Sequence, residues 1–330
     1  MLSKEVVYAT RETIGRDAKT FVGNCEDLTW LPFGWKNFLK VIRLSQGAEF
    51  IILRIPSFLS LVYYPFLKKE KILLEVVGCP WDTFRNHGIR GKLLAPFLFL
   101  FQRFIVLRAH FVHYVTNDFL QKRYPTRSEM CLYQSDVIIE NTGVSLPDQS
   151  RIKGKLGAIG AYGSSYKDFS TLLLALTNLK KRGEINLKLE IVGGGDPKIL
   201  ARQIKKFNLE ENVSLLGIMG HVELMEWLRT VDIYIHPSKA EGCPRSLIEA
   251  LASGCLCIGS KVGGIPELLI ESNLFKPGDY KTLSRKIWAG LSDDTLDRSN
   301  RTLNSFDPSK YDRETVMSGY SGFYKKIKNK

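Results

Sequence analysis

The strongest constraint on the fold is an alternation of short apolar runs with helix-length amphipathic segments from about residue 155 onward. The apolar runs cover residues 156–160, 187–193, 213–217, 232–236 and 255–259. Runs of this length match β-strands, and the longer stretches between them match amphipathic helices. Because strands that alternate with helices form βαβ units, the second half of the chain predicts a parallel sheet covered by helices.

Residues 1–150 repeat this alternation less regularly. Strand candidates lie at 6–9, 50–55, 72–77 and 112–116, and helical stretches lie at 57–68 and 91–108. Residues 142–150 have the composition of a linker, which places a boundary near residue 150. The 330 residues therefore predict an α/β protein of two domains, residues 1–150 and 151–306, with a last helix over 307–330.

Composition narrows the class of protein and its partners. Apolar residues make up 44% and charged residues 25% of the chain, which excludes disordered, collagen-like and disulfide-scaffold proteins. Lys and Arg number 47 against 34 Asp and Glu, and the net charge of +13 favours anionic partners such as phosphates or acidic lipid headgroups. We do not expect nucleic acid as a partner, because the basic residues are scattered and no recognition motif accompanies them.

The start of the chain and its cysteines indicate a compartment. Met1 to Glu5 lack the pattern of a signal peptide, and the longest apolar stretch, 93–107, is broken by Gln102 and Arg103. The six cysteines show no C-x-x-C pair and no zinc-type spacing, which indicates reduced thiols. We therefore expect a cytoplasmic protein that is neither exported nor membrane-spanning.

Residues 238–254 carry the most informative motif. Pro244 suits the first position of a helix and Gly254 suits the position just past its end, so the segment predicts a helix over 244–253. The helix follows a predicted parallel strand, and its first backbone N–H groups have no partner within the helix. Those N–H groups belong to Arg245, Ser246 and Leu247. Together with the helix dipole they predict an anion site where a phosphate would bind.

Two glutamates flank the start of this helix. Glu249 lies four residues after Arg245, on the face opposite the apolar residues, so we expect it to point away from the core. Glu241, next to Gly242, precedes the helix in a loop. Two carboxylates that approach one pocket from different elements suit an elongated, hydroxyl-rich ligand. The alternative is structural, with Glu249 paired to Arg245 and Glu241 solvated in its loop.

At this point the segment resembles a known family. Glu241 to Glu249 matches the E-x7-E motif of the retaining, family 4 type glycosyltransferases (glycosyl transferases group 1) with the GT-B fold. Residues 259–268 are similar to the family's G-G-x-P-E segment, and 191–197 and 213–217 match in order and spacing. The resemblance covers residues 155–290 and implies two Rossmann-like domains that face each other across a cleft. It implies that residues 151–306 bind a nucleotide-sugar, that residues 1–150 bind the acceptor, and that the last helix crosses back onto the first domain.

The resemblance also implies roles for individual residues. Glu249 corresponds to the glutamate that holds the ribose hydroxyls of the nucleotide, and Glu241 to the one that binds the donor sugar near the reacting carbon. Lys167 corresponds to the lysine that neutralises the donor diphosphate. Gly217 and Ile218 correspond to the place where backbone groups meet the base. The remaining donor-side candidates are Gly242, Arg245, Ser246 and Leu247.

Two departures from the family pattern affect the phosphate site. The family has an arginine shortly after the strand glycine, whereas Gly160 here is followed by Ala-Tyr-Gly-Ser-Ser. Asp168 also replaces the glycine that usually follows the lysine. We hypothesise that Arg245 or Arg16 supplies the second positive charge from elsewhere in the chain.

The first domain offers two candidates for the acceptor side. Asp82 and His87 follow the strand predicted at 72–77 in what reads as a loop, and either could orient or deprotonate an acceptor hydroxyl. The structural alternative is that Asp82 caps the loop and His87 is exposed. His110 and His113 have no third ligand nearby, and no D-x-D pair occurs in the chain, so we predict no metal and no cofactor.

Apolar segments with flanking cations in the first half suggest a membrane surface. Residues 55–67 run into two lysines, and residues 93–107 are aromatic-rich with basic residues around them: Lys92, Arg103 and Arg108. Such segments suit an interface with anionic lipid at the inner face of the membrane. The alternative is that both are core helices that cover the first parallel sheet.

These observations predict an enzyme that transfers a sugar, with retention of configuration, from a nucleoside-diphosphate sugar, by resemblance a UDP-sugar. The acceptor would be a glycan or a lipid-linked glycan in bacterial-type surface polysaccharide synthesis. Two rival functions stay open. One is a sugar-nucleotide epimerase of the same architecture, and the other is a catalytically silent partner subunit, which the missing arginine suggests.

Overall fold

A computed structural model of the protein describes residues 5–10, 27–32, 35–86, 88–140, 151–183, 187–292 and 306–328. Four parallel strands form the first sheet in the order β3-β4-β5-β6, and β1 and β2 pair in parallel with each other. The elements of this half are β1 Glu5–Thr10, β2 Asp27–Pro32, α1 Trp35–Gly47, β3 Ile51–Ile55, α2 Phe58–Tyr63, β4 Ile72–Val76, α3 Pro80–Arg85, α4 Gly88–Leu107, β5 Phe111–Tyr114, α5 Phe119–Arg123 and β6 Met130–Tyr133.

Six parallel strands form the second sheet in the order β12-β11-β10-β7-β8-β9. Its elements are β7 Lys155–Ile159, α6 Phe169–Lys180, β8 Lys188–Val192, α7 Lys198–Lys206, β9 Val213–Gly217, α8 His221–Thr230, β10 Ile233–His236, α9 Arg245–Ala252, β11 Leu256–Ser260, β12 Leu274–Phe275 and α10 Tyr280–Ser292. The five strands predicted in this half are confirmed. The strand order reverses between β7 and β10, and ligands of open α/β sheets bind at such a switch point, beyond the carboxyl ends of the strands.

The helices bury apolar residues on both faces of each sheet. Leu172 and Leu283, from α6 and α10, pack on one face of the second sheet, and Leu247 and Leu251 from α9 pack on the other. Parallel strands covered on both faces read as continuous apolar runs, which explains why the sequence located them so well. The fold is therefore the predicted one, two Rossmann-like α/β domains.

The end of the chain returns to the first sheet. A 3-10 turn at Pro308–Tyr311 leads into α11, Arg313–Lys328. Phe323 and Ile327 of α11 pack against Leu73 of β4. Between the two sheets, the N–H of Ile139 donates to the carbonyl of Tyr311 at 2.8 Å, so the two connecting segments run side by side. The linker predicted at 142–150 lies outside the described residues.

The carboxyl ends of the two sheets face each other. Gly242, in the loop after β10, lies so close to the end of β4 that a Cβ at this position would be 1.9 Å from the carbonyl oxygen of Val77. The Oγ of Ser165, after β7, donates to the carbonyl of Asn86 at 3.0 Å. A cleft between the two carboxyl edges is therefore the place where residues of both domains meet.

Candidate active site

The carboxylate of Glu241 is held by three other side chains of the candidate site. Three donors converge on its Oε1 atom, Lys167 Nζ at 2.6 Å, Ser238 Oγ at 2.8 Å and His236 Nε2 at 2.9 Å. His236 ends β10 and Lys167 follows β7, so the arrangement spans the switch point of the second sheet. Among the described residues, no group hydrogen-bonds the second carboxylate oxygen, Oε2. That oxygen is therefore available to accept from a ligand.

The surroundings of Glu241 keep it ionised. Burial by itself would raise the pKa of this carboxyl, but the hydrogen bond from His236 and the charge of Lys167 outweigh burial and bring the pKa to about 2. Burial lowers the pKa of His236, so its imidazole is neutral and donates from Nε2 to the carboxylate. A carboxylate with so low a pKa does not donate a proton near neutral pH. It can accept hydrogen bonds from sugar hydroxyls and stabilise positive charge.

The backbone around Lys167 aims this side chain at Glu241. A Cβ on Gly160, at the end of β7, would lie 2.9 Å from Lys167 Cγ, so any larger residue there would force the lysine to shift from its path over the strand end. Asp168 then takes a left-handed conformation with φ 48°. Glycine adopts this conformation most easily and aspartate tolerates it, so the replacement of the family's glycine by Asp168 preserves the turn.

The side chain of Asp168 makes two polar contacts in this turn. Its carboxylate is almost fully buried, accepts from Thr171 Oγ1 at 2.7 Å and pairs with Lys239 Nζ at 2.8 Å. The backbone N–H of Lys239 also donates to the carbonyl of Tyr166 at 2.6 Å. This Asp168–Lys239 pair ties the lysine loop to the segment that carries Glu241.

Glu249 corrects one expectation from the sequence. Helical spacing predicted that it points away from the core, but the structure buries it, with 6% of the residue exposed. Burial raises its pKa to about 7, and Arg245, one turn earlier, opposes this shift. Among the described residues, none hydrogen-bonds its carboxyl group. A largely buried carboxyl group without a hydrogen-bond partner from the protein is suited to ligand hydroxyls.

We expect the raised pKa of Glu249 to appear in the pH dependence of stability. Because the folded pKa of about 7 exceeds the ordinary value of 4.5, the folded protein keeps a proton that the unfolded chain releases. The free energy of unfolding should therefore fall as pH rises from 5 to 8, by roughly 2 to 3 kcal/mol from this group. Glu249→Gln should lack this pH-dependent part of the free energy of unfolding, even if the substitution also changes stability equally at every pH. Denaturant unfolding of both proteins at four pH values checks it, and identical pH slopes would contradict it.

The start of α9 differs in detail from the predicted anion site. Pro244 is the N-cap, and the N–H of Leu247 donates back to its carbonyl at 3.1 Å, so Leu247 does not offer a free amide. The N–H of Ser246 has no partner among the described residues. The Ser246 hydroxyl lies 2.9 Å from Tyr234 Oη. The hydrogen bond within this first turn therefore occupies one of the three backbone N–H groups that were predicted to bind a phosphate.

Sequence reasoning missed a polar chain that leads from α9 to Glu241. Tyr234 Oη lies 3.3 Å from His236 Nδ1, and His236 Nε2 contacts Glu241. Tyr234 and His236 are fully buried and alternate on β10, so both face the same side of the strand. Their signal in the sequence was weak, since a Tyr-x-His pattern inside an apolar strand is typical of core residues.

The edge strand β9 carries the predicted base-binding position. Gly217 ends β9 with φ 78°, and Ile218 is 82% exposed beside Gly194. Strands β10, β7, β8 and β9 are neighbours, so a ligand that reaches from Glu241 to Ile218 along the carboxyl edge would cross three strand spacings, about 14 Å. An extended molecule such as a nucleoside diphosphate-sugar fits that span.

The acceptor-side candidates are less well placed. Asp82 lies on α3, not in a loop, because Pro80 starts a short helix directly after β4. Its carboxylate is 3.3 Å from a guanidinium nitrogen of Arg123, within the first domain. His87 lies outside the described residues. The contact between Asn86 and Ser165 nevertheless brings this segment to the cleft beside Lys167.

The source of the second positive charge at the phosphate site remains a hypothesis, with Arg245 and Arg16 as its candidates. Arg245 is exposed at the first residue of α9, and its charge acts on Glu249, so it lies at the Glu249 end of the site. Arg16 lies outside the described residues. Lys239 is close in sequence to Glu241, but its ammonium is engaged by Asp168.

Two α/β domains with parallel sheets that face each other at their carboxyl edges, with a lysine–glutamate pair at the switch point of the second, have the architecture of the GT-B glycosyltransferases. Comparison with known proteins agrees. The family model described as glycosyl transferases group 1 matches residues 155–304. Protein CapJ of Staphylococcus aureus is 30% identical over 293 residues, which are 87% of this chain and 74% of CapJ. The chain belongs to the glycosyl transferases group 1 family.

Two further similarities cover a shorter segment and the whole fold. The gpi3 subunit of phosphatidylinositol N-acetylglucosaminyltransferase from Schizosaccharomyces pombe is 34% identical over 84 residues, 25% of this chain and 18% of that subunit. The crystal structure of Anabaena HepE in complex with UDP and glucose has a TM-score of 0.71 at 16% identity. That match covers 96% of this chain and 91% of HepE, and it shows a shared fold.

Proposed function

We propose that this glycosyltransferase moves a sugar, with retention of configuration, from a UDP-sugar to a hydroxyl group of a lipid-linked glycan during the synthesis of a surface polysaccharide. Residues 151–306 would bind the donor and residues 1–150 the acceptor. The observation that carries the proposal is the ionised Glu241, held at the switch point by Lys167 and His236 with one carboxylate oxygen available. The presence of UDP and glucose in the HepE complex supports the choice of donor.

In this proposal each group has a step in the transfer. The bond from the anomeric carbon to the diphosphate oxygen breaks while the acceptor oxygen bonds to the same face of that carbon. Negative charge develops on the leaving diphosphate, where Lys167 and the N–H of Ser246 would stabilise it. The leaving phosphate oxygen takes the proton of the acceptor hydroxyl. Glu241 would hold a donor hydroxyl through Oε2 and stabilise the positive charge on the sugar ring.

Titration calorimetry with nucleoside diphosphates and analysis of reaction products test this proposal. UDP should bind in preference to ADP and GDP, and Glu249→Gln should weaken that binding. UDP-sugar together with an acceptor should give a glycosylated product. A changed sugar configuration without acceptor would identify an epimerase. Nucleotide binding without any donor turnover would identify a catalytically silent subunit.

The two apolar segments that suggested a membrane surface differ in how far their apolar side chains are exposed. In the segment 55–67, Ile55, Tyr63 and Leu67 are core residues, and α2 ends early because a 3-10 turn with Pro65 follows. Helix α4 is different, since it exposes a row of large apolar side chains at helical spacing. Their exposed fractions are 78% for Ile89, 67% for Leu93, 71% for Phe97, 62% for Leu100 and 50% for Phe104.

The position of α4 favours a lipid-linked acceptor. Exposed cations flank the apolar row, which suits contact with anionic headgroups: Arg90, Lys92, Arg103 and Arg108. The helix has 20 residues, about 30 Å of length, and its first turn adjoins Asn86 at the cleft. No helix in the described part of the chain is long and apolar enough to cross a bilayer. A membrane under α4 would present a lipid-linked hydroxyl beside Lys167, and the gpi3 relative is named for a phosphatidylinositol acceptor.

Removal of the apolar row should reduce membrane binding. We expect the double variant Leu93→Ser, Phe97→Ser to bind anionic vesicles at least about ten-fold more weakly than the wild type, because two inserted apolar side chains are lost. Ile199→Ser with Val222→Ser is the matched control, since both residues are exposed apolar residues on helices of the second sheet. Sedimentation with phosphatidylglycerol vesicles at low and high salt measures the binding. Equal binding of all three proteins, or no wild-type binding at low salt, would contradict the membrane proposal.

A further inference from the structure

Glu267 connects the two domains through a concentrated set of hydrogen bonds. It ends the 3-10 turn Ile265–Glu267 that follows β11 in the second domain. Its Oε2 accepts from the N–H of Asn117 at 2.7 Å, and its Oε1 accepts from the N–H of Phe119 at 2.7 Å and of Asp118 at 3.2 Å. We call this carboxylate with its three backbone donors the Glu267 clasp. These donors belong to the first domain, where they precede and begin α5.

The first domain supplies no partner of its own for these three groups among the described residues. Thr116 Oγ1 accepts only from the N–H of Leu120, at 3.0 Å, and the N-cap Asp118 makes no side-chain cap. Backbone N–H groups that precede and begin a helix have no partner within it, and an ionised carboxylate is a strong acceptor for them. The clasp therefore forms only when the second domain lies close to α5, and it favours that arrangement.

The clasp is also connected to Glu241 through the backbone. Gly263 has φ 57°, and a Cβ on it would lie 1.9 Å from the carbonyl oxygen of Glu241. The N–H of Gly264 donates to the carbonyl of Gly242 at 2.9 Å. Gly242 in turn lies against Val77 at the end of β4. The loop that ends in Glu267 thus lies directly on the loop that carries Glu241, and both contact the first domain.

We propose that Glu267 is a positioning residue that couples closure of the cleft to the placement of Glu241. When the two carboxyl edges approach, the clasp binds the start of α5 and presses the two glycines 263 and 264 onto the Glu241 loop. Glu241 and Lys167 then reach the arrangement needed for the reaction at the same time as the cleft closes. This inference rests on the proposed glycosyl transfer for its activity readout, while the contact itself is testable without activity.

The test compares Glu267→Ala and Glu267→Gln with the wild type. Glu271→Gln is the matched control, because Glu271 is an exposed glutamate four residues further along the chain whose carboxylate pairs with Lys261 on the surface. Hydrogen exchange should become faster at residues 117–119 and at residues 240–243 in Glu267→Ala. The transfer rate at low substrate, kcat/KM, should fall roughly ten-fold, with a smaller loss in Glu267→Gln, which keeps a neutral acceptor. The affinity for UDP should stay within about two-fold, because the clasp lies outside the nucleotide-binding edge.

Three results would overturn the inference. Unchanged exchange at 240–243 in Glu267→Ala would show that the clasp does not act on the Glu241 loop. An equal fall in UDP affinity and in kcat/KM would show a general loss of the donor site. A similar effect in Glu271→Gln would show a nonspecific charge effect. If the wild type itself transfers no sugar, the proposed function fails, and the exchange data still decide on the clasp.

Discussion

Replacement of Lys167 by alanine is expected to lower turnover by about 100- to 1,000-fold while the protein stays folded. The ammonium group lies 2.6 Å from Glu241 in a partly buried pair, at the carboxyl edge of the second sheet. Charge on the leaving diphosphate is greatest in the transition state, so loss of this cation should lower kcat more than donor affinity. Steady-state kinetics and thermal unfolding of the variant measure both parts of this expectation.

Lys261→Ala is the charge-matched control, since Lys261 is an exposed lysine paired with Glu271 on the surface. It should keep full activity. Arg245→Ala tests the missing arginine separately. A loss comparable to that of Lys167→Ala would make Arg245 the second phosphate cation, and full activity would remove it from the site. Turnover of Lys167→Ala within about three-fold of the wild type would mean that another group stabilises the leaving diphosphate.

Glu241→Gln is expected to lower turnover by a similar factor, about 100- to 1,000-fold, because under the proposed function it removes the negative charge that stabilises the sugar ring in the transition state. Glutamine keeps the shape of the side chain and an oxygen that accepts from His236 and Ser238. The pKa of about 2 means that Glu241 is ionised throughout pH 5 to 8, so wild-type activity should show no acidic limb from this residue in that range. A pH–rate profile of both proteins, measured at saturating donor, checks the prediction.

Ser238→Ala is the matched comparison for Glu241. It removes one of the three hydrogen bonds to Oε1 and leaves Lys167 and His236 in place, so its effect should be far smaller. Turnover of Glu241→Gln within about three-fold of the wild type would contradict a role for the carboxylate charge. Melting temperatures separate a loss of charge from a loss of fold, since the neutral variant also leaves Lys167 without its carboxylate partner.

The second sheet was predictable because its strands are local, continuous apolar runs. Strands β7, β8, β10 and β11 are largely buried on both faces, the edge strand β9 is exposed on one, and glycine or proline ends or follows most of them. The first sheet was predicted less completely. Strand β6 is only partly buried at the edge, and β2 contains threonine and proline, so neither shows a clear apolar run. Helix α3 was read as a loop, because six residues with two charges carry little helical periodicity.

The candidate site was predictable in its residues but not in its arrangement. The sequence located Glu241, Glu249 and Lys167 through motifs whose spacing is local. It could not show that Lys167, 74 residues before Glu241, lies within hydrogen-bonding distance of it. It missed His236, because a histidine at the end of an apolar strand does not reveal which side chain it faces. It misjudged the burial of Glu249, because helical spacing shows a face of the helix and not what packs on it.

What the sequence determined by itself is the alternation of strands and helices, the parallel second sheet and the glutamate motif, since each depends on residues near in the chain. Tertiary structure decided the rest. The order of strands sets the switch point that joins Lys167 to Glu241. Helix α4 is apolar over most of its length, and the packing of other elements against part of it decides which of its apolar side chains are exposed. Glu267 reaches amide groups about 150 residues away. Such contacts depend on how the domains pack, and no local periodicity encodes them.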